Sequence, residues 1–218
     1  NLGVVLLACD EPGKAIKALD RAVCLDEELA EANWNRALAL LKLGHLKEGW
    51  PGYESRWEAV PWLKRRQFEV PQWQGEEVEG QIILVHAEQG YGDTVQFVRY
   101  LPEICRQGGK IRLACQPALK RLFSPLPDLE SVTAYGEPPG AFDLHIPIMS
   151  LPEAIGLADP VLGSDAIPYL PNAFPLPPEI TSEPIPKVGF VWRGSSTNSR
   201  GLFRSCMLQD FEPILSMN

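Results

Sequence analysis

His86, Glu88, Asp93 and His145 are the side chains in this sequence best placed to move a proton. The first three lie in one stretch, His86-Ala87-Glu88-Gln89-Gly90-Tyr91-Gly92-Asp93-Thr94-Val95-Gln96-Phe97-Val98, directly after the apolar run Ile82-Ile83-Leu84-Val85. That run is short, β-branched and uncharged, so it reads as a buried strand. Strand, glycine turn and helix N-terminus together bring backbone N–H groups and a carboxylate to the carboxyl edge of a parallel sheet, where ligands bind. A carboxylate there works as a general base if it reaches the reacting proton and its pKa is not far below the working pH. Asp93 also suits a helix cap, with Gln96 three residues on completing a capping-box pattern. A helix N-terminus lowers a carboxylate's pKa and weakens it as a base. The two roles can coexist.

The neighbours narrow the chemistry. Gly90 and Gly92 form G-x-G without a third glycine at the dinucleotide spacing, which argues against NAD. They permit a tight turn and the close approach of a ligand. Gln89 and Gln96 are neutral donors and acceptors suited to sugar hydroxyls. His86 ends the strand and Glu88 lies just beyond it; a hydrogen-bonded, partly buried histidine explains His86 equally well. His145, in Asp143-Leu144-His145, closes another predicted strand and could reach the same crevice. The three histidines and five cysteines form no metal-ligand pattern and no C-x-x-C occurs. Reduced thiols in a cytoplasmic protein without a metal site is the expectation.

Several elements must hold these residues. From Gln81 the pattern alternates: a helix from Asp93 to about Arg106, a strand over Lys110–Cys115, a short helix from Pro117 to Phe123, strands over Ser131–Ala134 and Asp143–Ile146, then a helix from about Ser150 to Ile155. Alternating strands and helices predict a parallel, Rossmann-like sheet over 81–158. Upstream, a shift of 34 residues lays Gly3 on Ala37, Leu6 on Leu40, Asp10 on Gly44, Ala15 on Gly49 and Leu19 on Tyr53. That is the tetratricopeptide period, with helices expected near 1–9, 13–25, 30–43 and 47–58. Residues 59–80 form a connector. Its Lys64-Arg65-Arg66 could contact a phosphate and reads more simply as a solvated turn. Eight prolines in 160–186 predict an extended linker over 159–186. Val188-Gly189-Phe190-Val191-Trp192 then reads as a buried strand opening a second α/β unit over 187–218. The fold class is helical repeats followed by α/β.

The residues also carry a resemblance. His86-Ala87-Glu88-Gln89-Gly90-x-Gly92-Asp93-Thr94-x-Gln96-Phe97-x-x-Tyr100, Cys115-Gln116, Phe142-Asp143-x-His145-x-Pro147-x-x-Ser150-Leu151-Pro152 and Lys187-Val188-Gly189-x-x-Trp192-x-Gly194 are similar to bacterial tetratricopeptide proteins with a glycosyltransferase family 9-like domain. These are related to heptosyltransferases and, more distantly, to SPINDLY-type and O-GlcNAc transferases. The resemblance implies a two-domain GT-B architecture with the acceptor on the first Rossmann-like domain and a nucleotide-sugar donor on the second. It implies Asp93 as the base deprotonating the acceptor hydroxyl, with inversion and no metal. His86, Glu88, Gln89, Gly90, Gly92, Gln96 and His145 would bind substrate. Trp192, Gly194, Ser195, Arg204 and Ser205 would hold the donor diphosphate. Here the chain departs from the family's usual Trp-x-Gly-Asn-Pro-x-His: Ser195-Ser196 replaces Asn-Pro and the histidine is missing, while Arg204-Ser205 matches.

A chain of 218 residues with a net charge of −8 has no basic face for nucleic acid or an anionic membrane. No apolar run approaches the ~20 residues of a membrane span. The apolar start lacks the basic flank of a signal peptide. The absence of an initial Met and the short stretch after Trp192 read as a fragment, which by itself would not transfer sugar. The partners expected are a nucleotide-sugar and a protein or peptide in the repeat groove. Two readings compete with catalysis: a non-catalytic interaction module with a degenerate transferase domain, and a nucleotide-binding regulator.

Overall fold

The computed structural model describes residues 1–157, 168–170, 189–192, 194 and 205–215. The chain divides into two compact units, Asn1–Ala173 and Phe174–Asn218.

The first unit begins with four helices, α1 (Leu2–Ala8), α2 (Pro12–Leu25), α3 (Ala30–Lys42) and α4 (Leu46–Tyr53). Each packs on the next, and α1 also reaches α3. The ends of α1 and α3, 34 residues apart, share one geometry. α1 ends with Asp10 at φ 61° and α3 with Gly44 at φ 81°. At the first end Asp10 N–H donates to the Leu7 carbonyl and Glu11 N–H to that of Leu6; at the second, Gly44 and His45 donate to Leu41 and Leu40. Both are the same left-handed helix stop. Gly3, Ala15, Ala37 and Gly49 are all buried, and a methyl on Gly3 would lie 2.4 Å from Leu19 Cγ.

The fourth helix is shorter than the expected 47–58. It stops at Tyr53, where Glu54 and Ser55 tighten into bonds to Pro51 and Gly52, and a short helix α5 (Arg56–Ala59) follows. That break carries Arg56 into the interior, where it is wholly buried.

Four strands follow: β1 (Ile82–His86), β2 (Lys110–Cys115), β3 (Leu129–Ala134) and β4 (Leu144–Pro147). They form a parallel sheet in the order β3-β2-β1-β4. The predicted α/β alternation is therefore present. The single long helix expected over 93–106 is instead α6 (Tyr91–Phe97), a 3-10 turn over Val98–Tyr100 and α7 (Leu101–Arg106). Pro102 cannot donate to an uninterrupted helix ladder, so the chain restarts there. Beyond β2 lies α8 (Pro117–Phe123), and beyond β4 a 3-10 turn, Ile148–Ser150, leads into α9 (Leu151–Ala154). The connector adds a short edge: Trp73 N–H donates to the His145 carbonyl and His145 N–H to that of Pro71.

The two faces of the sheet differ in chemistry. Side chains alternate along a strand, and partners in register share a side. Ile83, Val85, Ile111, Leu113, Leu144 and Ile146 form one apolar face in the main core. Leu84, His86, Arg112, Ala114, Ser131, Thr133 and His145 make the other. A parallel sheet is ordinarily apolar on both sides; this one is half polar.

In the second unit, only residues 189–192 of the buried strand expected over Val188–Trp192 are described; Val188 lies outside the described residues. Residues 189–192 have no regular structure, and Val191 is 93% exposed. The spacing of β-branched and aromatic residues suggested burial, but no neighbouring strand pairs with it among the described residues. Phe190 instead stacks edge-on against Phe211, at 4.9 Å between ring centres. A 3-10 turn, Leu208–Phe211, and α10 (Glu212–Leu215) follow.

Candidate functional site

The chain runs β1, β2, β3 in one direction and then crosses back to place β4 on the other side of β1. The crevice at the carboxyl ends of β1 and β4 is thus the topological switch point, the position where open α/β sheets bind ligands. Two loops border it, residues 87–90 after β1 and 148–150 after β4.

The glycine turn opens α6. Its first helical residue is Tyr91, so Asp93 sits two residues inside the helix and not at the cap as expected. Gly90 is the N-cap and has no side chain to offer. Asp93 reaches back and accepts the Gly90 N–H at 2.9 Å. That is the second half of a capping box, with the carboxylate supplied from N3. Gln96, expected to complete the box, is exposed and takes no part in it. Asp93 itself is half-buried, and Gly90 and Gly92 are exposed. Thr94 and Gln116 brace the turn. The Thr94 hydroxyl donates to Gln116 Oε1 at 3.0 Å, and Gln116 Nε2 donates to the Gln89 carbonyl at 3.0 Å.

Glu88 is gripped from the helical region. Arg56 Nε and Nη2 donate to Glu88 Oε1 and Oε2, each at 3.0 Å. Nη2 also donates to the Ser150 hydroxyl at 2.7 Å, and Nη1 to Glu54 Oε1 at 2.6 Å and to the Tyr53 carbonyl at 3.3 Å. Guanidinium has five N–H donors, and here all five are engaged. Arg56 therefore bridges both loops of the switch point. Burial works against its charge, but Glu88 and Glu54 hold the proton on and raise its pKa. Burial pushes the Glu88 carboxyl up, and Arg56 pulls the other way without cancelling it. Gln89 Nε2 donates to the Tyr53 hydroxyl at 3.3 Å. Burial pushes that hydroxyl up to about 12, so it stays protonated. Glu88 and Gln89 thus face protein partners.

His86 and His145 meet on the polar face. His86 Nε2 and His145 Nδ1 are 3.3 Å apart, and Phe68 lies against both rings at 5.2 and 4.5 Å. His145 does not close its strand: it pairs with Leu84, and Ile146 and Pro147 continue β4. His86 Nδ1 is buried with no hydrogen-bond partner. Burial, then Arg66 and His145, push His86 down to about 3. Burial and Arg65 lower His145 as well. The pair is neutral at physiological pH. Among the described residues no hydrogen bond joins it to Asp93.

Of the expected donor residues, Ser195 and Arg204 lie outside the described residues. Gly194 N–H donates to the Ser205 hydroxyl at 3.2 Å, and the Trp192 carbonyl accepts the Cys206 N–H at 2.9 Å. No group of three or more His, Cys, Asp or Glu that could hold a metal occurs among the described residues. No helix among them is long and apolar enough to cross a membrane.

Arg56, Tyr53, Phe68, Gln116 and Ser150 enter the site without having been singled out. Gln116 and Ser150 stood within the resembling motifs. Arg56 left no mark in the sequence, because its partner lies 32 residues away.

Compared with known proteins, the chain is 36% identical over 113 residues to a protein named FlbA from Caulobacter vibrioides. The match covers 50% of this chain and 19% of that protein, so it spans about a fifth of the relative's length. No family model matches the chain, and no solved structure matches it significantly.

Proposed function

We propose that the chain is the acceptor-side part of an inverting, metal-independent GT-B glycosyltransferase in the cytoplasm, joined to tetratricopeptide repeats that bind a protein or peptide. One observation carries the reading: the Gly90-Tyr91-Gly92-Asp93 turn lies at the carboxyl end of the central strand, beside the switch point between β1 and β4. This is the turn that resembles the family's Gly-Asp motif. The recurrence of the same helix stop at a 34-residue interval supports the repeat assignment.

In this reading Asp93 takes the proton from an acceptor hydroxyl as that oxygen attacks the anomeric carbon of a nucleotide-sugar, and the nucleotide leaves. The bond to Gly90 N–H orients the carboxylate and leaves it half-exposed. Glu88 is a poor substitute as base, because both its oxygens face Arg56. His86 is buried, and protonating it on its buried face opposes Arg66.

The capping bond of Asp93 favours a second reading, a non-catalytic interaction module in which that carboxylate only holds the turn. Full-length protein incubated with a panel of nucleotide-sugars separates the two. Donor consumption with product formation supports the transferase, and Asp93→Asn then lowers kcat by at least ~10²-fold, the loss typical of a missing general base. Wild-type kcat in Asp93→Asn removes Asp93 from the chemistry. Absence of turnover with every donor leaves the interaction module.

A further inference from the structure

The connector carries two arginines that the proposed transfer does not use. Arg65 and Arg66 are both exposed, and neither comes within 4.0 Å of a carboxylate among the described residues. Each is nonetheless placed. The Arg66 guanidinium lies 4.1 Å from the centre of the Tyr135 ring, and that of Arg65 lies 5.2 Å from the Trp57 ring. A guanidinium on an aromatic face keeps its N–H edges free for a ligand.

Both arginines border the polar face of the sheet. Arg66 acts on His86 and Tyr135, and Arg65 on His145. Phe68, two residues beyond Arg66, covers the two imidazoles. The charged groups acting on the histidine pair are therefore Arg65, Arg66 and Arg56. The nearby carboxylates Glu88 and Glu54 are already matched by Arg56. Arg65 and Arg66 thus have no carboxylate partner among the described residues, in a chain of net charge −8. Beneath them His86 Nδ1 is buried and unpartnered.

We propose that Arg65 and Arg66, set on Trp57 and Tyr135 above the His86–His145 pair, bind an anionic group, a phosphate or a carboxylate, carried by a sugar. Guanidinium matches both oxyanions with paired N–H···O bonds. The proposal names the acceptor class of the proposed transferase and rests on that reading for its role; the binding itself does not depend on transfer.

Calorimetric titration of the 218-residue chain without donor tests it, with glucose 6-phosphate, glucuronate and unmodified glucose as probes. At least one charged probe is expected to bind and glucose is not. The stronger of the two charged probes identifies phosphate or carboxylate as the source. The double variant Arg65→Gln/Arg66→Gln is expected to weaken that probe by roughly tenfold or more, as fits the loss of charge-assisted bonds. Lys64→Gln, which removes one charge from the same run, is expected to change it by less than about twofold, because an exposed charge contributes little. A bound anion is also expected to raise the His145 pKa, read from imidazole NMR shifts, by offsetting Arg65. Failure of both charged probes to bind overturns the proposal. So does glucose binding as tightly as they do, an unchanged affinity in a folded double variant, or an equal loss in Lys64→Gln. Sugar transfer plays no part in these outcomes, so full-length protein that turns over no donor while this chain binds glucose 6-phosphate counts against the transferase and leaves this site standing.

Discussion

Two polar clusters flank the end of β1, and they differ in completeness. Around Arg56 every donor has an acceptor: Glu88 twice, Ser150, Glu54 and the Tyr53 carbonyl. Around His86 and His145 the accounts stay open, with Nδ1 of His86 unpartnered and two arginines facing no carboxylate among the described residues. Buried polar groups are normally satisfied, and a saturated network rigidifies what it joins. The Arg56 cluster is therefore read as a clamp that fixes the helical region to the loops after β1 and β4. The His86 cluster has spare capacity, which a structural clamp has no use for and a ligand can fill.

The largest effect expected from breaking this contrast is on the clamp. Arg56→Met removes one partner of a buried pair and strands the Glu88 charge, a change that costs about 3–5 kcal/mol in such sites. Arg56→Met combined with Glu88→Leu leaves no buried charge and is expected to recover much of that loss, because well-packed apolar replacements of buried pairs are often neutral. Denaturant unfolding of both variants measures this. Equal destabilisation in single and double variants would mean that the pair's geometry, not its charge balance, holds the two regions together.

The open cluster makes a pH prediction instead. His86 is pushed down to about 3 in the fold and titrates near 6.5 when unfolded. Its folded pKa is depressed, so between those values the unfolded chain binds more protons and stability rises with pH. The contribution is fully present above about 6.5 and is lost as pH falls toward about 3, at up to ~1.4 kcal/mol per pH unit. His145, lowered in the same direction, adds to the slope below its own ordinary value. Carboxylates shape the acid limb too, so the informative quantity is the difference between wild type and His86→Gln. That difference is expected to shrink as pH drops from 7 to 4. A constant difference across that range would place a proton on His86 in the fold and contradict its burial among arginines.

The comparison also explains what the sequence disclosed. β1 to β4 and the glycine turn were legible because short apolar runs and turn residues are local signals, and Lys110–Cys115 and Pro117–Phe123 appear as expected. The likeness of two helix ends was legible because a 34-residue shift compares the chain with itself, and Asp10 and Gly44 turn out to share one backbone conformation. The clamp was hidden, since Arg56 looks like any helix-surface arginine until Glu54 and Ser55 break α4 and turn it inward. The meeting of the two histidines was hidden too. It follows from β4's register against β1, which aligns His145 with Leu84 and so with the polar face. Residues 189–192 went the opposite way: their strand-like composition pairs with no strand among the described residues.

The smallest expected effect sharpens the role of the turn itself. Asp93 accepts one backbone N–H at 2.9 Å from N3, while the Gly90 N-cap contributes no side chain. Asp93→Ala removes that acceptor and is expected to cost ~0.5–1 kcal/mol, the lower part of the range for capping groups. Asp93→Asn keeps an acceptor oxygen at the same reach and is expected to stay within about 0.5 kcal/mol of wild type. Measured beside kcat, the pair of variants divides the residue's two duties. Stability lost in Ala but kept in Asn, with activity lost in both, fits a carboxylate that caps and also takes a proton. Stability lost equally in both would show that the bond to Gly90 needs the negative charge. The helix dipole acting on a full charge would then outweigh the hydrogen bond in holding the turn.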